Sequence, residues 1–383
     1  MTIDVHVLGT ASARPTAQRA VSGSVVFCED GLVVVDAGEG FQTRFEHQRK
    51  RQKVSGMKRR LRPHRIGALV FTHGHLDHTW GALPWLQTLS LDRREPAMLV
   101  LAPTSTDVFE ALLAGEPIPN GTPPADLAVQ WKAWFEVGGF GGFSYPLRWV
   151  LGDVAHDRWA ELDPETMQAT LLDAMPQPAG WKRTRLVPIL THHTVPSCGW
   201  MVEQTGSPGV FDRDRANELG LTEQQRGVLA RGDDLEHENT TLQAASFRGP
   251  STPSLRVVIS GDTAEQAPGF DNDLCPDLLI HESTFLEAQT DKAAEHLHTT
   301  AKGAARTAAD CNARVLALTH YSSRIKSVQE PLNEAREALA DLNEALPALA
   351  LQDGDVLSVK HDECTHLVAT ASGWEKVSIS PNR

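Results

Sequence analysis

Residues 66–78 read IGALVFTHGHLDH. The first six are apolar and include the branched Ile66 and Val70, a run that suits a strand buried on both faces. The six positions after Thr72 then crowd three histidines and an aspartate together: His73, His75, Asp77 and His78. Such a cluster adds nothing to the stability of a domain, because each imidazole or carboxylate must be solvated or paired. It reads as a set of ligands. His73 and His75, two residues apart, point the same way from an extended segment, and Asp77 and His78 follow where the chain has to turn. Imidazoles joined by carboxylates favour a borderline metal, zinc or manganese foremost.

The same grammar recurs along the chain. LVVV (32–35) leads to Asp36, RVVIS (256–260) to Asp262, DLLI (277–280) to His281, and RVLAL (314–318) to His320. Between some of these runs lie helical patterns, TTAKGAARTAADCN (299–312) and PLNEAREALADLNEAL (331–346). Alternating strands and helices predict a layered α/β architecture, and polar residues at strand ends predict a site along one edge of the sheets. A single zinc takes three or four ligands. His73, His75, Asp77, His78, Asp262, His320 and a histidine at 192 or 193 exceed that number, so two metals sharing one bridging carboxylate are expected, an arrangement suited to phosphate ester hydrolysis.

Length and composition set the frame. The chain has 383 residues, 41% hydrophobic and 22% charged, as in a globular protein. It contains no 18-residue uncharged apolar run and opens without a basic-then-apolar leader, so no membrane span and a cytoplasmic location are expected. Five scattered cysteines do not make a disulfide framework. The net charge of −13 argues against a polyanionic partner, yet residues 44–65 carry ten Lys and Arg against Glu46 alone, leaving −22 on the remainder. That basic segment is either a solvated loop or a contact for a polyanion. Residues 116–185, with GGFGGFSYP (138–146) and several tryptophans, are expected to be an insertion on a single domain spanning 1–383. A second irregular stretch covers 205–254.

With these residues in view, THGHLDH resembles the signature of the metallo-β-lactamase superfamily. LGTASARPTAQRAVSG (8–23) and VVVDAGEG (33–40) narrow the likeness to the ribonuclease Z family, the endonucleases that trim the 3′ trailer from precursor tRNA. SYPL (144–147), HTVPSCGW (193–200), SGDT (260–263), HEST (281–284), HTTAKGAA (298–305) and THYSSR (319–324) follow in the family's order. The resemblance implies a metallo-β-lactamase αβ/βα sandwich and two zinc ions per chain, with manganese as the other candidate. It assigns His73, His75 and His193 to one metal, Asp77, His78 and His320 to the other, and Asp262 between them. His193 rather than His192 follows from the family's spacing to Gly199. His298 is implied as the acid that protonates the ribose 3′-oxygen, with Glu282 orienting it and Asp77 serving the attacking water. Asp36 is expected to organise the ligand loops, and Arg19 and Arg324 to bind substrate.

A homodimer and a precursor tRNA or other RNA substrate are also implied. Two segments depart from the family pattern. PTAQRA (15–20) has Ala17 and Ala20 where the family has Lys and Asn, and the arm region lacks the family's proline-glycine stretch, reading LTEQQRG (221–227). The altered arm keeps a second activity in play, a phosphodiesterase for small or cyclic diesters or other RNAs. The basic segment keeps a third, a non-catalytic RNA-binding protein.

Overall fold

Apolar runs that are strands buried on both faces need cover on both sides, and the structure supplies it. This computed structural model describes residues 1–137 and 143–380, so positions 138–142 of the glycine-rich stretch lie outside the described residues. Two compact units emerge: Met1–Gln204 together with Arg256–Arg383, and Thr205–Leu255.

The larger unit is built on two sheets. In the first, Leu32–Ala37, Ile66–Val70, Met98–Pro103 and Leu147–Asp153 run parallel at the centre. Antiparallel strands flank them, from Gly23–Phe27 out to Gly373–Ile379 on one side and out to Ala169–Leu172 on the other. In the second, Leu255–Ile259, Leu278–Glu282, Leu316–Thr319 and Ala348–Ala350 are parallel, and Cys198–Gln204 pairs antiparallel with Thr184–Leu190.

Alternate residues explain the layering. Leu32 and Val34 pack in one core with Phe41, Phe45, Trp85 and Leu86 of the covering helices. Val258 and Leu279 pack in another with Ala304, Ala308 and Leu339. Val33, Val35, Val257 and Ile280, on the opposite faces, are just as buried. Those faces cover one another: the rings of Trp159 and Trp200 stand 6.4 Å apart across the gap, and the Trp200 indole donates to the Phe71 carbonyl at 2.9 Å. The layers therefore run helices, sheet, sheet, helices, which is the expected αβ/βα sandwich.

Two sequence expectations change here. Residues 116–185 do not sit on the core as an insertion. Helix Leu127–Val137 covers the large sheet, and strands Leu147–Asp153, Arg158–Leu162 and Ala169–Leu172 continue it. Trp131 and Trp149, rings 4.9 Å apart, are part of its core. Nor are residues 44–65 simply a loop, since helix Phe41–Val54 occupies the first half. Its inward face is Phe41, Phe45, Gln48 and Gln52, a helical spacing carried partly by glutamines. Gln48 Nε2 donates to the Gly354 carbonyl (3.1 Å), and Gln52 Oε1 accepts from Leu61 N (2.8 Å), so the buried amides are satisfied.

The unit Thr205–Leu255 falls where the arm is expected, and has its own small core of Ala216, Leu221, Leu229, Ala244 and Phe247. Thr222 and Gln225 form a reciprocal cap on helix Glu223–Arg231, which ends at Gly232 with φ 103°. No helix among the described residues is long and apolar enough to cross a membrane. The five cysteines, all among the described residues, are unpaired.

Candidate metal centre

The larger unit gathers the polar residues that follow its strands. His73 follows Ile66–Val70, His193 follows Thr184–Leu190, Asp262 follows Leu255–Ile259, and His320 directly follows Leu316–Thr319. Asp77 and His78 lie in the short helix Leu76–Thr79, for which His75 is the N-cap residue. His320 and Asp36 both sit in the left-handed backbone region, at φ 59° and 58°. Non-glycine residues hold that conformation at a cost, and persist in it where the surroundings fix them.

Two sets of donor atoms result. His73, His75, His193 and Asp262 form one, and Asp77, His78 and His320 the other. His73 Nε2 is 3.0 Å from His75 Nδ1, and His193 Nε2 is 3.2 Å from the same atom. His78 Nε2 and His320 Nε2 are 3.3 Å apart, with Asp77 Oδ2 at 3.7 and 3.5 Å from them. Asp262 divides itself between the sets. Its Oδ2 faces His73 Nε2 at 3.7 Å, while its Oδ1 faces His78 and His320 at 3.4 and 3.3 Å.

These residues fit a metal. A tetrahedral shell with bonds of about 2.0–2.1 Å has ligand-to-ligand edges of about 3.3–3.4 Å, and the spacings here, from 3.0 to 3.7 Å, bracket it. Asp262 Oδ1 is buried and has no hydrogen-bond partner, a costly state that a cation would relieve. On four of the five histidines the second ring nitrogen is already engaged, so the inward one is aimed. His73 Nδ1 meets Thr72 Oγ1 (3.1 Å), His78 Nδ1 meets Asp36 Oδ2 (2.8 Å), His193 Nδ1 meets the Leu297 carbonyl (3.0 Å), and His320 Nδ1 meets Thr284 Oγ1 (2.9 Å). Orienting partners of this kind accompany metal-binding imidazoles. Burial opposes charge on His78, yet the carboxylates of Asp262, Asp77 and Asp36 outweigh it and hold the imidazole well above its usual range. The same field favours any cation.

Asp36 is not in either donor set. Its two oxygens accept from Thr72 N and Thr72 Oγ1 (2.8 Å each), and one also holds His78. Asp36→Ala should lower metal affinity by about 10- to 100-fold, the usual penalty for losing such a partner. A competition titration with a chromophoric chelator measures it, and an unchanged affinity would reduce Asp36 to a folding role.

Beside the metal centre, His298 Nδ1 lies 2.8 Å from Glu282 Oε1. Burial acts against the charged ring, but the Glu282 carboxylate prevails and pushes its pKa up to about 9. Glu282 is itself fixed, accepting from Thr263 N (2.9 Å) and from Thr284 Oγ1 (2.5 Å). His298 also completes a third donor set with Asp262 and His320, a role that nothing in the sequence signals. His75, His193 and His298 open onto a cleft of about 590 Å³ whose rim includes Arg14, Ser323 and Arg324.

Of the two arginines expected to touch substrate, Arg324 is exposed on this rim. Arg19 instead ties the chain to itself, donating to the Ile325 carbonyl (3.0 Å) with its guanidinium 5.1 Å from the Tyr321 ring centre. Arg14 takes the rim position and donates to Ser323 Oγ at 3.1 Å. Sequence reasoning misses it, although it lies within SARPT (12–16). Of the two candidate histidines, His193 faces the donors and His192 is exposed. The HDECTH stretch (361–366) makes no further metal site: His366 Nε2 bonds Asp355 Oδ2 at 2.7 Å inside the sheet.

Known proteins resemble this arrangement. A family model described as the metallo-beta-lactamase superfamily matches residues 18–206. Ribonuclease Z of Haloarcula marismortui is 30% identical over 346 residues, covering 88% of this chain and 92% of the relative. Ribonuclease Z of Myxococcus xanthus is also 30% identical, covering 86% and 91%. Among solved structures, the short form of human tRNase Z superposes with a TM-score of 0.52 at 21% identity, over 93% of this chain and 99% of the other. YhfI of Bacillus subtilis, a metallo-beta-lactamase fold protein, gives 0.55 at 15% identity, over 94% and 100%. At these identities the two structures speak for the fold alone.

Proposed function

This chain belongs to the ribonuclease Z family and is a metal-dependent hydrolase, and from that premise we propose that it removes the 3′ trailer of precursor tRNA by endonucleolytic cleavage. The observation that carries the proposal is the division of Asp262 between two donor sets beside the His298–Glu282 pair. His73, His75 and His193 would hold one divalent ion, Asp77, His78 and His320 the other, and Asp262 would bridge them. The imidazole-rich donor set suits zinc. Two such ions supply positive charge against the phosphate and acidify water at neutral pH.

The chain's own residues do the rest. Asp77 Oδ2 also accepts from Ala13 N (2.7 Å), which fixes its orientation for the attacking water. His298 delivers a proton to the departing ribose 3′-oxygen, a poor leaving group without one. Glu282 holds the His298 ring in place. Arg324 and Arg14 stand on the rim where the flanking phosphates of an RNA would pass. The cytoplasm, consistent with five unpaired thiols, is the proposed location. A homodimer, implied by the family, would be read from the mass in solution.

Zinc-loaded protein incubated with a trailer-bearing precursor should give one discrete cut near the discriminator nucleotide, leaving a 3′-hydroxyl. Efficient turnover of simple diesters with no preference for the folded precursor would replace this proposal with a small-substrate phosphodiesterase. RNA binding that survives chelation, with no cleavage of either substrate, would leave a binding protein.

A further inference from the structure

The ten lysines and arginines of residues 44–65 divide by what they touch. Four are tied into the fold. Arg44 pairs with Asp353 at 3.6 Å, Arg59 with Asp4 at 3.1 Å, Arg51 lies over the Trp374 ring, and Arg65 over Phe27. Arg49 pairs with Glu46 along the helix. The other five, Lys50, Lys53, Lys58, Arg60 and Arg62, are exposed, and their side chains have no ion pair or hydrogen bond among the described residues.

Four of those five, Lys50, Lys53, Arg60 and Arg62, line one open cleft of about 580 Å³ between helix Phe41–Val54 and the turn Pro63–Arg65. His47 and His64 complete its polar wall, and its one carboxylate, Glu46, is already paired with Arg49. Like charges gathered in a concavity repel one another, and no ion pair among the described residues offsets them. The feature is local, because the chain outside 44–65 carries −22. The unit Thr205–Leu255 has eight acids against five arginines, so it offers a polyanion no net attraction.

The shape narrows the partner. The cleft's concavity does not match a flat bilayer, and its apolar lining residues, Leu61 and Pro63, alternate with Arg60, Arg62 and His64, so charge rather than apolar contact is what it offers a partner. Lys50 and Lys53 lie about 14 and 18 Å along the helix axis from Phe41, which starts just beyond the Asp36 loop. A phosphate held there is a different phosphate from the one being cut. An extended polyphosphate reaches both.

We propose that this cleft grips the sugar-phosphate backbone of the RNA substrate at a distance from the scissile bond. The proposal rests on the RNA-processing function above. It is tested on the metal-loaded full chain with a fluorescent tRNA transcript that lacks any trailer, following Kd by anisotropy across salt concentrations. Lys50→Gln, Lys53→Gln, Arg60→Gln and Arg62→Gln combined should weaken binding about tenfold or more at low salt. They should also flatten the slope of log Kd against log salt by about 0.7–0.9 for each phosphate that is no longer neutralised. The charge-keeping set Lys50→Arg, Lys53→Arg, Arg60→Lys and Arg62→Lys should retain the wild-type slope, which separates charge from folding.

An unchanged slope and affinity in the glutamine variant, with the wild type binding RNA, overturns the cleft alone. A wild type that neither binds nor cuts RNA overturns the cleft together with the function beneath it. Loss of binding to anionic phosphatidylserine vesicles, with RNA binding intact, reassigns the cleft to a membrane and also overturns the proposal.

Discussion

Asp262→Asn is expected to lower kcat/KM on a precursor tRNA by about a thousandfold or more, roughly 4 kcal/mol of lost transition-state stabilisation. The substitution keeps the shape of the side chain and removes its charge. Both oxygens matter, because Oδ2 faces His73 and Oδ1 faces His78 and His320. In the wild type, burial works against ionisation of Asp262, yet the surrounding imidazoles of His320, His78 and His73 hold it well below the usual carboxylate range. An amide in its place turns one arm into a donor, which a cation does not accept. Metal content by elemental analysis should fall together with activity, while circular dichroism shows the fold intact. A variant that keeps its full metal complement and activity within tenfold would remove Asp262 from the bridging position.

His298→Ala is expected to cost about 10²–10⁴ in kcat on RNA, the range of a positioned general acid. It should cost far less on bis(p-nitrophenyl) phosphate, whose leaving group departs without a proton. The contrast between the two substrates distinguishes proton delivery from general damage to the site. It also decides between the two roles the geometry allows. His298 Nδ1 lies 3.9 Å from Asp262 Oδ2 but 2.8 Å from Glu282 Oε1, and the shorter contact marks Glu282 as its partner. Metal content should therefore stay at the wild-type level in His298→Ala. A loss of metal, with equal damage to both substrates, would make His298 a ligand instead. Glu282→Gln should fall between the wild type and His298→Ala, since it keeps the size of the side chain, gives up one of the bonds accepted from Thr263 N and Thr284 N, and removes the charge that holds the proton on His298.

Much of this centre is legible in the sequence because its donor residues follow apolar strands. His73 after IGALVF, Asp262 after RVVIS and His320 after RVLAL each announce the end of a buried strand where solvation is scarce. The layers are legible for the same reason, since runs apolar on both faces require cover on both sides. Other features carry no such signal. Gln48 and Gln52 mark the buried face of the basic helix, but glutamine is ordinarily a surface residue, and only Gly354, Leu61 and their neighbours reveal why it is inside. The strand pattern alone does not choose between His192 and His193, because the strand ends before either. The tryptophans of 131–159 sit among glycines and prolines, which obscures strands that complete the large sheet. Arg14 and Arg19 differ by what lies opposite them, Ser323 for one and Tyr321 for the other, and that is decided by a segment some 300 residues away.

Thr284 has a single hydroxyl proton, and two neighbours that compete for it. Its oxygen is 2.5 Å from Glu282 Oε2, a carboxylate that can only accept, and 2.9 Å from His320 Nδ1. Once the proton points to Glu282, the oxygen has only lone pairs left for His320, which must then carry its own hydrogen on Nδ1. The opposite nitrogen, Nε2, is thereby left bare toward Asp262 and Asp77. One small alcohol thus sets the tautomer of a histidine in one donor set by obeying the carboxylate that steers His298. The His298–Glu282 pair and the donor set of His320 are latched to each other through a valine-sized side chain, and the latch has only one closed position.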